Sequence, residues 1–224
     1  MILLFGCQGS GDTFEDGMKA FAREDYTTAL KIWRPLAEAG DPSAQTNVGF
    51  LYYEGKGVTQ NYEEAIKWYT IAASQGYPDA SFNLGVAYAE GKGVEPNPAE
   101  ALKRYQAAAD AGYAPAQVIL ANMYFRGSDV PLDREAGFKW YLKAAEQDDV
   151  VAQFFVANLY ENGQGVTADL VQAYKWLSVA EGGNHPDAKK TAAERKGRVA
   201  EIMTKEQIAD AEKQARAWVA KNRR

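Results

Sequence analysis

One histidine and one cysteine bound the chemistry open to this 224-residue chain. A lone imidazole at His185 offers a general base, but catalysis needs a second group within hydrogen-bond reach to take or give the proton. His185 stands directly before Pro186, in the column that Asp41 and Tyr77 occupy before Pro42 and Pro78. That placement reads as a helix-start turn, because proline suits the first helical position. Cys7 has no second cysteine to bridge to. The strings Gly55-Lys-Gly57, Gly91-Lys-Gly93 and Gly163-Gln-Gly165 could cradle phosphate, but a phosphate loop follows a strand and opens a helix. These strings follow helical patterns and recur at a fixed interval, so they read as helix stops. No Ser-x-x-Lys, His-Glu-x-x-His or Ser/His/Asp constellation stands out. Carboxylates are plentiful without a spacing that isolates an acid–base pair, and a cation site made of carboxylates alone stays open. The expectation is a chain with no catalytic residue, metal or cofactor.

The formal net charge is −5 and the pI about 5.1. A surface that tracks phosphates needs clustered Lys and Arg, so nucleic acid is not an expected partner. Hydrophobic residues make up 46% and charged residues 25%, enough apolar material for a core. The charge is uneven: from Lys189 onward there are 11 basic and 5 acidic residues. That end could dock an acidic partner, anionic lipid or another copy, or simply be a solvated capping helix.

Positioning elements follow from a repeat of 36 residues that registers four times without gaps. Ala44, Ala80, Ala116 and Ala152 align, as do Tyr52, Tyr88, Tyr124 and Tyr160, and then Gly55, Gly91, Gly127 and Gly163. Trp68, Arg104, Trp140 and Trp176 share a column, and Ala72, Ala108, Ala144 and Ala180 another. Each unit reads as two helices. In the first unit, Asp41-Pro42 starts one helix, Val48, Leu51 and Tyr52 give it an apolar face, and Gly55 stops it. A second begins near Asn61, carries Ala65, Trp68, Tyr69 and Ala72, and stops at Gln75-Gly76. Neither helix can bury both faces alone, so the units must stack. The expected fold is all-α: an α/α right-handed solenoid of helix-turn-helix repeats. Its expected divisions are residues 1–12, an apolar tip and tether; 13–40, a shortened first repeat; full repeats at 41–76, 77–112, 113–148 and 149–184; and capping helices at 185–224. Thr204-Lys-Glu-Gln207 is a capping-box pattern for the last helix, with Ile208, Ala211, Ala215, Trp218 and Val219 as its apolar stripe.

The unit resembles the Sel-one-like repeat, a relative of the tetratricopeptide repeat. The string Ala80-Ser-Phe-Asn-Leu-Gly-Val-Ala-Tyr88, then Gly91-Lys-Gly-Val94, Ala101, Tyr105, Ala108-Ala109 and Gly112 carries the resemblance. It covers about residues 14 to 188. Asp25-Tyr26, Ala29-Leu30 and Trp33-Arg-Pro-Leu36 resemble the opening unit of small bacterial members, and Met203-Thr204 with Gln207-Ile208 resembles their ending. The third unit departs from the pattern at Asp129, Gly137, Asp148 and Asp149, which predicts a distorted or looser junction there.

The resemblance implies a protein–protein interaction scaffold or adaptor, often in the bacterial envelope, and not an enzyme. A penicillin-binding or -hydrolysing branch carries two Cys per unit; this chain has Cys7 alone, which disfavours that alternative. A structural envelope component that contacts polysaccharide machinery is a further alternative. In related repeats the inner face uses the positions two before, two after and five after the Leu84 column. The expected concave, partner-binding residues are therefore Phe50, Tyr53, Phe82, Val86, Val118, Asn122, Phe125, Phe154 and Asn158. Exposed aromatics in a concavity mark interaction sites, and Asn can meet a peptide backbone with both donor and acceptor. The plain alternative is that these aromatics are core.

Leu4-Phe5-Gly6-Cys7 resembles a lipobox, though Phe5 departs from it, the apolar run is short for a signal segment and no Lys or Arg precedes it. Two readings stand: a start upstream of Met1 with Cys7 as lipidation candidate, or a leaderless chain with an apolar tip. The first places the protein in the bacterial periplasm, the envelope or the medium, the second in the cytoplasm. No run of about 20 apolar residues is present, so no transmembrane segment is expected. The expected state is a monomer that binds protein or peptide.

Overall fold

The structure, a computed structural model, describes residues 12–183 and 186–223. Cys7 and His185 lie outside the described residues. The described residues form twelve helices and no strand: α1 (Phe14–Ala22), α2 (Tyr26–Glu38), α3 (Pro42–Glu54), α4 (Tyr62–Ser74), α5 (Pro78–Glu90), α6 (Pro98–Asp110), α7 (Ala114–Arg126), α8 (Arg134–Glu146), α9 (Val150–Asn162), α10 (Leu170–Glu181), α11 (Pro186–Ala200) and α12 (Lys205–Asn222). This is the helix-pair α/α solenoid class anticipated from the repeat.

The start and stop residues work as their chemistry dictates. Asp41 and Asp149 cap α3 and α9, each accepting a backbone N–H three residues on at 2.7 Å. Asn61, Asp133 and Asp169 do the same for the second helices α4, α8 and α10. Gly55, Gly91, Gly127 and Gly163 end the first helices in the left-handed conformation, and each N–H reaches back to the carbonyl four residues earlier. Thr204 and Gln207 form the reciprocal capping box of α12.

Two compact units make up the chain, Met1–Arg104 and Tyr105–Arg224. The first packs Trp33, Val48, Leu51, Tyr69 and Leu84 at its centre, and the second Leu120, Val156, Trp176, Leu177 and Val179. The alanine column of Ala44, Ala80, Ala116 and Ala152 is wholly buried, which is why it admits only a small side chain.

A buried glutamine column adds polar pairing. Gln45 Nε2 donates to the Ala37 carbonyl at 3.0 Å, and Gln75 Nε2 donates to Gln45 Oε1 at 2.8 Å. Gln117 repeats this with Ala109 and Gln147. The second repeat has Ser81 and Ala111 at these positions, so donor and acceptor disappear together. Gln153 breaks the rule: its column partner is Gly183, and its buried Oε1 has no hydrogen-bond partner among the described residues.

The distorted third junction expected from the sequence is not found. Asp129 takes φ 62° and Asp148 φ 67°, beside 69° at Gly57 and 83° at Gly76 in the matching columns. Asp is among the few residues that tolerate this region, so the loop keeps its shape. Asp148 also gains partners: Gln153 Nε2 donates to it at 2.8 Å and Arg223 Nε at 2.8 Å, tying the end of α12 to the α8–α9 turn. Gly137 is explained by Phe125, whose ring fills the space a Cβ would take.

The Arg223 guanidinium, and then Gln153, hold the Asp148 carboxyl below the usual carboxylate range. A depressed carboxylate adds stability above its unfolded pKa and loses it as pH falls through the folded value. The pair is partly exposed, so its worth is about 1 kcal/mol or less. Below the ordinary carboxylate range the end of α12 will loosen, and Trp218, which sits edge-on to Trp176 with its ring under Arg223, will report it by fluorescence. Asp148→Asn should remove that acid transition; an identical transition in the variant would contradict the tether.

Candidate functional site

Four of the expected partner-binding residues come together in the first unit. Phe50 and Tyr53 on α3, with Phe82 and Val86 on α5, line a pocket of about 190 Å³ completed by Glu54, Tyr69 and Asn83. All four are half-buried. The mouth is charged: the Tyr53 hydroxyl donates to Glu90 Oε2 at 2.9 Å, and Lys92 Nζ pairs with the same oxygen at 2.8 Å. Lys92 and Tyr53 hold Glu90 below the usual carboxylate range. Burial, then Glu90, pushes the Tyr53 phenol up. Lys92 Nζ lies 5.5 Å from the Tyr53 ring centre and 5.9 Å from that of Tyr62. Lys56, one repeat earlier, sits among the rings of Phe21, Tyr26 and Phe50. The helix-stop loops thus carry a second role that spacing alone did not reveal: each lysine is held by aromatic faces, a cation–π arrangement.

In the second unit the expected residues divide. Asn122 Nδ2 donates to the Val118 carbonyl at 2.9 Å, and Asn122 Oδ1 accepts from the Tyr141 hydroxyl at 2.9 Å. These bonds use one of the amide's two donors and one of its two acceptor lone pairs. Phe125 lies 5.8 Å from the Tyr141 ring, and Val118 packs on the core. Phe154 and Asn158 instead line an open cleft of about 470 Å³ between α9 and α11, with Val151, Phe155, Thr191 and Arg195. No side-chain hydrogen bond of Asn158 is found among the described residues. Arg195 pairs with Glu161 across the cleft at 3.2 Å.

Val151, Phe155 and Arg195 were not anticipated. Val151 is 51% exposed and Phe155 41%, although Phe155 stacks on Tyr141 with ring centres 4.6 Å apart. The signal was present in α9, where Val151, Phe154, Phe155 and Asn158 fall at i, i+3, i+4 and i+7. Arg195 required knowing that α11 lies beside α9.

Burial pushes the Tyr69, Tyr141, Tyr160 and Tyr174 phenols up, Tyr141 to about 12. Among the lysines of the described residues Lys175 alone is drawn down, by burial, and it lines neither the pocket nor the cleft. Among the described residues no three His, Cys, Asp or Glu groups gather for a metal, and no helix is long and apolar enough to cross a membrane.

The Sel1 repeat model matches residues 42–77, 78–113, 114–149 and 150–180. The chain belongs to the Sel1 repeat family. Among solved structures it is similar to a protective antigen of uropathogenic Escherichia coli that displays an SLR fold, with 30% identity and a TM-score of 0.73 over 93% of this chain and 44% of that one. It is also similar to a Sel1 repeat protein from Oxalobacter formigenes, with 32% identity and a TM-score of 0.68 over 76% of this chain and 49% of that one. The chain therefore spans less than half the length of these relatives. An immunity protein of Pseudomonas aeruginosa, at 20% identity and a TM-score of 0.51 over 91% of this chain and 81% of that one, shares the fold alone. No curated protein matches the chain in sequence. Sel1 repeat proteins are generally protein-interaction scaffolds, and their fold is typically non-catalytic.

Proposed function

We propose that this Sel1 repeat chain is a scaffold that seats a polypeptide segment of its partner on the first-helix faces of its repeats. The observation that carries the reading is the α9 stripe: Val151 and Phe155 stay exposed beside Phe154 and Asn158, in a cleft of about 470 Å³ with α11. An aromatic surface that folding leaves uncovered is what a partner's side chains bury, and aromatic anchors dominate interface energies. Asn158 supplies a donor and an acceptor beside that surface. The pocket of Phe50, Tyr53, Phe82 and Val86 offers a second, smaller anchor point in the first unit.

The test compares wild type with a Phe154→Asp, Phe155→Asp double variant in cross-linking and capture from the native organism. Phe155 is exposed and Phe154 only partly buried at the edge of the core, so helicity should persist with a melting point a few degrees lower. One polypeptide should be depleted about tenfold or more from the variant, the loss expected for removed anchor residues. Equal recovery of every polypeptide on both baits would contradict the reading.

A further inference from the structure

We infer that the α9–α11 cleft selects an acidic segment, one that carries a bulky apolar side chain within a few residues of its carboxylates. The inference rests on the scaffold reading above and names the partner chemistry at the same place. The cleft has two continuous halves. Its apolar half is lined by Val151, Phe154 and Phe155. Its polar half, about 370 Å³, is lined by Glu161, Asn162 and Arg198. Asn158 and Arg195 border both. A ligand that fills the whole cleft must therefore be apolar at one end and polar at the other.

Charge decides the sign of the polar end. The α11 wall presents Thr191, Arg195 and Arg198 at i, i+4 and i+7. The helix holds five basic residues against Asp187 and Glu194. Lys196 pairs with Glu181 and is accounted for. Arg198 has no ion pair among the described residues. Arg195 gives one guanidinium nitrogen to Glu161 at 3.2 Å, and a guanidinium carries five N–H donors in a fixed fork. The remaining donors of Arg195, with all those of Arg198, match carboxylates, which they can grip in pairs. A lysine-rich segment would set like charges against both arginines. The rest of the chain, before Lys189, has 14 basic and 25 acidic residues, so an acidic ligand is repelled elsewhere and attracted to this end.

The test selects short random peptides displayed on phage against wild-type protein, then measures the survivors as synthetic peptides. Survivors should place Asp or Glu near Phe, Leu or Trp. Their affinity should fall about tenfold or more against an Arg195→Glu, Arg198→Glu double variant, and should weaken with added salt. Arg198→Glu alone, at an exposed residue without an ion pair, should show a smaller loss in a fold that is not in question. Survivors with no acidic preference, or with equal affinity for the arginine variants, would overturn the inference, as would a library that yields no binder. Peptides that lose affinity to the Phe154→Asp, Phe155→Asp variant but not to the arginine variants keep the scaffold reading and overturn only the acidic preference. Peptides indifferent to both variants overturn both. A wild-type dimer that the arginine variant converts to monomer would assign the cleft to a second copy and overturn the peptide reading.

Discussion

Trp33→Ala will destabilise the first unit by about 3–5 kcal/mol, the range for removing a buried tryptophan. Trp33 is 1% exposed, and its indole is held on three sides. The Phe14 and Phe21 rings lie 5.8 Å away, and Nε1–H donates to the Phe14 carbonyl at 3.1 Å. Gly17 completes the seat, because a Cβ there would overlap the indole. The shortened first repeat has a helix of only nine residues, α1, so this one side chain carries much of its packing. Helix stacking in a solenoid is a nearest-neighbour affair, so the loss should begin at the N-terminal end. Denaturant unfolding followed by circular dichroism should show an earlier transition, and hydrogen exchange should place the new opening in α1 and α2. An unchanged midpoint would mean that the first repeat does not unfold with its neighbours.

The second large effect separates two glycines that share a positive φ. Gly57→Ala should cost roughly 2–5 kcal/mol, and Gly76→Ala only about 1–2. At Gly57 φ is 69°, and a Cβ would come within 2.6 Å of the backbone of Tyr26 and Thr27. Backbone at the start of α2 cannot swing aside as a flexible side chain can, so the repeats must separate or the loop must move. At Gly76 φ is 83° but nothing lies within 4 Å, which leaves left-handed strain alone. Equal losses in melting experiments would show that conformational strain, and not repeat-to-repeat contact, sets the need for glycine in the helix-stop loop.

The sequence was most legible where one residue does one local job. Asp41, Asn61 and Gly55 punctuate helices through hydrogen bonds that span three or four residues, so spacing alone predicted them. The reading failed where a local rule was applied too strictly. Asp148 and Asp129 replace glycines without distortion, because aspartate enters the left-handed region at small cost and Asp148 acquires Arg223. The candidate site was half legible. Phe50, Tyr53, Phe82 and Val86 share a pocket because repeat columns fix which side of a helix a residue occupies. Asn122 also bonds Tyr141 on the following helix, and no column rule reports that bond. Arg195 and Arg198 were read only as part of a basic tail, since the contact between α11 and α9 exists only in three dimensions.

These particulars give the scaffold reading its physical content. Repeats that agree at structural columns such as Ala44, Ala80, Ala116 and Ala152 differ at the exposed ones. At the Phe155 column the chain has Asn47, Asn83 and Ile119 in the other repeats, and at the Val151 column Ser43, Asp79 and Pro115. The shared columns build the helix pairs, and the α9 face combines two exposed apolar side chains with a basic neighbour helix. On the proposed reading, specificity resides in one repeat and its cap.

Hydrogen exchange of the chain alone and in complex with its captured partner tests this most directly. Amides that a bound segment covers or rigidifies exchange more slowly. The account predicts that slowing concentrates in α9 and α11, with weaker slowing in α3 and α5. Protection confined to the second helices α4, α8 and α10 or to α12, with α9 unchanged, would contradict it.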